Sequence, residues 1–234
     1  MTEQRLNELQ SRGYCHSDFL SLDEQNMYFT LESRSGFRPG LLFGGFEDAE
    51  RKVLYYDLEE PPISVVEIKP SVNHFTKVPG HRDYLGSLLG LGLDRRVIGD
   101  ILVSLTGDRA WVFCLTKVAD FIVENLTKVG RVSVKCQVST APDMALIVQR
   151  KEIRVVVTSL RIDSLVAEAF RVSRTESKQL VENKKVYLNG KLLQKAETKP
   201  EAGCKITVRG YGSFIFREVA GPTRKEKLSV VLEI

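Results

Sequence analysis

Asn189-Gly190 sits between two short apolar segments, 186–188 and 191–193. The tightest hairpin turns need positive φ at both central positions. Asn and Gly tolerate this, so the dipeptide predicts a β-hairpin. What precedes it narrows the fold further. Ile162, Leu165, Val166, Ala169 and Phe170 recur at helical spacing and predict a helix over 159–170 with one buried face. Ser173-Arg174-Thr175-Glu176 then has the form of a capping box. In that motif the serine hydroxyl accepts from the glutamate amide and the carboxylate reaches back. A second helix is expected from there to about residue 184. Helix, helix, hairpin is the unit this stretch encodes.

Its charges form a pattern. Arg174 and Lys178 are four apart and share a helix face. Arg161 opens the first helix and Arg171 closes it, while Lys184, Lys185 and Lys191 flank the hairpin. A basic edge on two linked helices followed by a small sheet can track a phosphate backbone. The charge of the whole chain is concentrated there. Residues 1–160 hold 19 Lys+Arg against 21 Asp+Glu, a net of −2, and residues 161–234 hold 15 against 9, a net of +6. That asymmetry is expected of a nucleic-acid module joined to a near-neutral body.

Three runs in this order resemble the RNA-binding domain named after ribosomal small-subunit protein four, the S-four (alpha-L) domain. They are Arg161-Ile162-Asp163-Ser164-Leu165, then Ser173-Arg174-Thr175-Glu176-Ser177-Lys178-Gln179-Leu180-Val181, then Val186-Tyr187-Leu188-Asn189-Gly190-Lys191. The resemblance implies that the helix pair and hairpin grip structured RNA, ribosomal or transfer. Carried over by position, it points to Arg161, Ser173, Arg174, Ser177, Lys178, Lys185, Asn189 and Lys191 as contacts. The charge pattern adds Arg171 and Lys184. An alternative stands beside this for Ser173 and Asn189, which a cap and a turn would explain alone.

At 234 residues the chain has room for two domains or three small ones. The apolar runs are far shorter than a membrane span, and Met1-Thr2-Glu3-Gln4 does not begin a secretory signal, so a cytoplasmic protein without membrane contact is expected. Cys15, Cys114, Cys136 and Cys204 are scattered, with neither Cys-x-x-Cys nor a His pair at zinc spacing, so reduced, packed thiols and no metal or cofactor are expected.

The expected fold class is α+β. Residues 1–62 read as a mixed α/β region: helices before Gly13 and over 22–31, a strand at 41–46 with a Gly44-Gly45 turn, a short helix at 47–52 and a strand at 53–58. The two glycines lack the spacing of a phosphate loop, so the turn reading is preferred. Residues 63–140 give strand 63–68, helix 82–91, strands 97–105 and 110–115, helix 117–128 and strand 132–138. This βαββαβ order predicts a ferredoxin-like, RRM-like sheet. In the second helix Val118, Phe121, Ile122 and Leu126 are expected on one face. Trp111 and Phe113 share a face of one strand. Either they stack on bases, as aromatics on such sheets do, or they are core. Residues 141–158 read as connecting strands at 146–149 and 153–157 with a turn at 150–152. The RNA-binding domain and a basic tail fill 159–234, including a second hairpin over 205–217 and a final segment, 223–228, that is either a last strand or a further RNA contact.

His81-Arg82-Asp83 superficially matches a kinase catalytic loop, but Leu88 stands where its Asn belongs and no Gly-rich loop or Asp-Phe-Gly accompanies it. Asp83 is expected in the first turn of a helix, where the dipole favours a carboxylate. Together with Gly44-Gly45-Phe46-Glu47-Asp48-Ala49-Glu50-Arg51-Lys52 and Ile98-Gly99-Asp100-Ile101-Leu102-Val103, the segment from His81 to Gly92 resembles the YlmH family of bacterial S-four proteins. That resemblance spans nearly the whole chain. It implies a monomeric, non-enzymatic RNA-binding protein that meets rRNA and tRNA on the large ribosomal subunit, still carrying peptidyl-tRNA, in ribosome-associated quality control. Genes of the family lie near cell-division genes, so a cell-division adaptor is an alternative, as is an RNA-modifying enzyme or its accessory subunit. A methyltransferase would need a Gly-rich cofactor turn, and the 160 residues ahead of the S-four stretch look too small and too neutral for a pseudouridine synthase. His81 and Arg82 are secondary RNA-contact candidates.

Overall fold

Alternation along two short strands organises the first half of the chain. The structure, a computed structural model, describes residues 2–34, 36–71, 78–147 and 151–234. The chain divides into two compact units, 1–149 and 150–234.

The first unit begins with α1 (Thr2–Ser11), β1 (His16–Leu20), α2 (Leu22–Glu32), β2 (Leu41–Phe43) and β3 (Lys52–Tyr55). The strands pair antiparallel in the order β1-β3-β2. Successive strand residues face opposite ways. Leu20 and Leu54 therefore pack under Leu6, Leu9, Tyr28 and Leu31 of the two helices, while Phe19 and Val53 point to the other side. β1 is an element the sequence reading missed, and residues 47–51 form turns instead of the expected helix. Two side chains hold them: the buried Gln25 amide donates to the Glu50 carbonyl at 2.7 Å, and Asp100 accepts from the Glu50 amide at 2.6 Å and the Arg51 amide at 3.3 Å.

The unit continues with β4 (Ile63–Pro70), α3 (His81–Gly90), β5 (Ile98–Val103), β6 (Ala110–Leu115), α4 (Ala119–Asn125), β7 (Lys128–Val129) and β8 (Val132–Ser139). All neighbours are antiparallel, in the order β5-β6-β4-β8-β7. This is the ferredoxin-like arrangement expected from βαββαβ, with β7 added at the edge. Tyr84, Leu88, Ile122 and Leu126 cover one face of the sheet, against Val66, Ile68, Val112 and Val134. The helix expected over 117–128 is a 3-10 turn, Thr116–Val118, followed by the shorter α4. Its buried residues are Ala119 and Ile122, and Phe121, one position off that stripe, is 42% exposed instead of buried.

The opposite sheet face decides between the two readings of Trp111 and Phe113. They are 3% and 0% exposed, sealed with Val65 and Leu115 beneath Phe19, Val53 and Phe46. The amino-terminal sheet thus lies on the face an RRM leaves open. Two glycines permit the approach. A Cβ at Gly45, whose φ is +100°, would fall 2.2 Å from Phe113 Cδ1, and one at Gly99 would fall 2.6 Å from Phe19 Cε1. The Gly44-Gly45 turn reading holds, and its second requirement is this packing.

The second unit contains β9 (Glu152–Val157), α5 (Ile162–Phe170), α6 (Arg174–Glu182), β10 (Val186–Leu188), β11 (Lys191–Leu192), β12 (Lys205–Val208), β13 (Gly212–Pro222) and β14 (Leu228–Glu233). They form one antiparallel sheet ordered β11-β10-β12-β13-β14-β9. β9, expected in a connecting segment, is its edge strand, with Val157 opposite Leu228 and Glu152 opposite Glu233. The strand expected at 146–149 is not formed where the structure describes it, since Met144–Leu146 is a 3-10 turn; residues 148–150 lie outside the described residues. The segment 223–228 leads into β14, which adds the last strand. Ile162, Leu165, Val166, Leu180 and Val181 of the helices bury against Val157, Val208, Phe214, Phe216, Val230 and Leu232. Asn189 and Gly190 have φ of +48° and +79°, as the hairpin requires.

Candidate nucleic-acid interface

The helix pair is locked by its polar residues. The Ser173 hydroxyl accepts from the Glu176 amide at 3.1 Å, which is the forward half of the predicted box. The reciprocal half is replaced: the Glu176 carboxylate accepts from the Tyr211 hydroxyl at 2.8 Å. Asp163, 2% exposed, accepts from Arg161 Nε and Nη2 at 3.0 and 2.8 Å and from the Ser164 amide at 2.9 Å. Arg161 Nη2 also meets Glu197 at 3.0 Å. The Asp163 hydrogen bond is the largest cause that raises the Arg161 pKa above the usual guanidinium range.

One contact expected from the resemblance needs correction. Ser177 is 0% exposed, and its hydroxyl donates to the Asp163 carbonyl at 2.6 Å. It ties α6 to α5 and cannot reach RNA, because helix packing turns it inward. Asn189 is exposed, but its side-chain oxygen accepts from the Lys205 amide at 2.8 Å.

The outward cations remain. Arg161, Arg174 and Lys178 line a groove of about 440 Å³ with Asp163, Thr175, Gln179 and Glu182. Arg174 reaches the Thr158 hydroxyl and, at 3.4 Å, that of Ser164; both partners are neutral. Among the described residues neither Arg174 nor Lys178 has a carboxylate within ion-pair distance, although Glu182 lines the same groove, whereas Arg161 is held by Asp163 and Glu197. Arg171 and Lys184 are exposed at the ends of α5 and α6, with φ of +54° and +57°. A left-handed non-glycine costs about 1–2 kcal/mol, and a cation at a helix C-terminus recovers roughly 0.3–1 kcal/mol. The dipole offsets only part of that strain, so both positions keep a cation where glycine would fit better. Lys185 and Lys191 are exposed on the hairpin. Thr158 and Tyr211 were not singled out from sequence. Nothing local marks them, since their partners Arg174 and Glu176 lie 16 and 35 residues away.

His81 and Arg82 belong to the other unit, at the exposed start of α3. Asp83 Oδ2 accepts from the Gly80 amide at 2.9 Å, which is the helix-start role expected of it. Desolvation, then Arg95, lower the His81 pKa from the usual histidine value. No helix among the described residues is long and apolar enough to cross a membrane.

Comparison with known proteins agrees with both halves of this description. Residues 58–143 match the family model "Putative RNA-binding domain in YlmH", and residues 160–203 match the S4 domain. Over 224 residues the chain is 33% identical to ribosome-associated protein quality control protein P2 of Bacillus subtilis (strain 168), covering 93% of this chain and 86% of that protein. A solved structure, cell division protein ylmH from Streptococcus pneumoniae, aligns with a TM-score of 0.45 at 24% identity over 59% of this chain and 86% of its own. With an S4 domain behind a ferredoxin-like unit, the chain belongs to the YlmH family of RNA-binding proteins.

Proposed function

We propose that this protein is a non-enzymatic factor that grips ribosomal RNA and tRNA on the large ribosomal subunit during rescue of stalled translation. It acts as a cytoplasmic monomer on a subunit that still holds peptidyl-tRNA. The observation that carries the reading is the pair Arg174 and Lys178, whose charges line the α5–α6 groove without carboxylate partners among the described residues. The name of the Bacillus subtilis relative, a ribosome-associated quality control protein, supports the choice of partner.

A grip on about five phosphates predicts a log–log salt slope near −3.5 to −4.5, and so a roughly 100- to 500-fold loss of affinity between 50 and 200 mM salt. The test is binding of the full chain to purified large subunits across a salt series. Each lost phosphate contact removes about 0.7–0.9 from the slope, or about 5–8-fold in affinity at 0.1 M salt. Arg174→Ala with Lys178→Ala should therefore weaken binding by roughly 25–60-fold at that salt. Unchanged affinity in a folded double variant would refute the groove as the RNA site. Loss of a modified nucleoside from the RNA of a strain lacking the protein would overturn the non-enzymatic reading.

A further inference from the structure

β13 and β14 run on into a closed basic turn, residues 223–227. Pro222 pairs with Leu228, the Thr223 amide donates to the Lys227 carbonyl at 2.6 Å, and the Glu226 amide donates to the Thr223 carbonyl at 3.0 Å. The Thr223 hydroxyl accepts from the Lys227 amide at 3.1 Å, and Glu226 takes a φ of +57°. The backbone of this turn is held by its own hydrogen bonds. Arg224, Lys225 and Lys227 all project from it exposed, with Glu226 the one acidic residue among them.

Strand register places the turn. Val157 lies opposite Leu228 in the antiparallel β9–β14 pair. That is the terminal pair of the ladder, and Thr158 and Lys227 each lie one residue beyond it. Thr158 is the residue whose hydroxyl receives Arg174. The basic turn therefore adjoins the rim of the α5–α6 groove. It lies outside both matched family segments, 58–143 and 160–203.

We propose that the β13–β14 turn is a second phosphate-contacting element, in which Arg224, Lys225 and Lys227 extend the cationic track of Arg174 and Lys178 along the same RNA. Consecutive phosphates of a strand are a few ångströms apart, comparable to one inter-strand step, so a backbone leaving the groove at Arg174 meets the turn next. A solvated charge run would need no such closure or register. This inference rests on the RNA-binding reading and adds a surface to it.

The test is the same salt series with purified large subunits, using the full chain. Arg224→Ala, Lys225→Ala and Lys227→Ala together leave the Thr223 closure intact. They should lower the slope by about 2–3. Lys151→Ala with Arg154→Ala, both exposed, the first just before β9 and the second on it, is the charge control and should leave the slope unchanged. If the turn variant keeps the wild-type slope while Arg174→Ala/Lys178→Ala lowers it, the turn is not a contact and the groove stands. If the control loses as much per charge as the turn, only bulk charge is being read and the proposal fails. If neither the turn nor the groove variant changes the slope, both readings fall together.

Discussion

Replacing Ser177 by Ala separates a structural role from an RNA contact. The resemblance of the α6 sequence to its family places this serine among the RNA-binding residues, whereas the structure buries it completely, with its hydroxyl on the Asp163 carbonyl. Ala fits the same space, so no cavity beyond one oxygen is made. The Asp163 carbonyl lies on the first turn of α5 and retains its intrahelical acceptor role. The loss is thus one hydrogen bond, about 0.5–1.5 kcal/mol. For a unit of this size, residues 150–234, each 1 kcal/mol lowers Tm by roughly 4–8 °C. Ser177→Val forces two methyl groups into a site with no exposed surface, and overpacking adds roughly 1–3 kcal/mol. Thermal unfolding followed by circular dichroism, with hydrogen exchange on the α5 and α6 amides, measures both variants. Large-subunit binding in the salt series should be unaltered for Ser177→Ala at temperatures well below its Tm. A variant that melts like the wild type but binds with lowered affinity at every salt would show the hydroxyl pointing at RNA, and the packing of α5 on α6 described above would be wrong.

Two further outcomes test the amino-terminal unit and the thiols. Gly45→Ala places a methyl group on the Phe113 ring at a φ of +100°, so it should destabilise the protein by roughly 2–5 kcal/mol, measured by denaturant unfolding. With a native-state thiol reagent near pH 8, the exposed Cys15 should react fast, the half-buried Cys136 slowly, and Cys114 and Cys204 only on unfolding, because burial pushes the Cys114, Cys136 and Cys204 thiols up to about 12, 11 and 11; a second fast thiol would contradict the described packing.

What was legible in the sequence is what local chemistry determines. Asn189-Gly190 specifies its turn whatever surrounds it, and Ser173 caps α6 through a residue three positions away. The βαββαβ order limits the sheet to few topologies, and the observed strand order is one of them. What was not legible depends on partners far along the chain. Glu176 turns to Tyr211 and not to its own helix start, and the inward rotation of Ser177 follows from how α6 sits on α5. β1, His-Ser-Asp-Phe-Leu, buries Phe19 and Leu20 on opposite faces, so its pattern shows neither helical spacing nor polar–apolar alternation. Within the candidate site, the outward cations of α6 could be read from i, i+4 spacing, but the neutral hydroxyl partner of Arg174 could not.

Trp111 and Phe113 show how far such a reading can go. Two aromatics on one face of a ferredoxin-like strand are the signature both of a base-stacking platform and of a core, and nothing within the strand distinguishes them. The distinction comes from elsewhere: Phe19, Phe46 and Val53 cover the ring faces, and Gly45 and Gly99 lack the Cβ atoms that would keep those residues away. A stacking base is worth about 1–3 kcal/mol, and fully burying one large apolar side chain is worth a comparable 1.5–3 kcal/mol. Here several such side chains bury each other at once, so RNA would have to open a whole core to reach either ring. An RNA contact by this unit must therefore use its polar rim and edges. The aromatic face is committed to joining the two sheets of the unit.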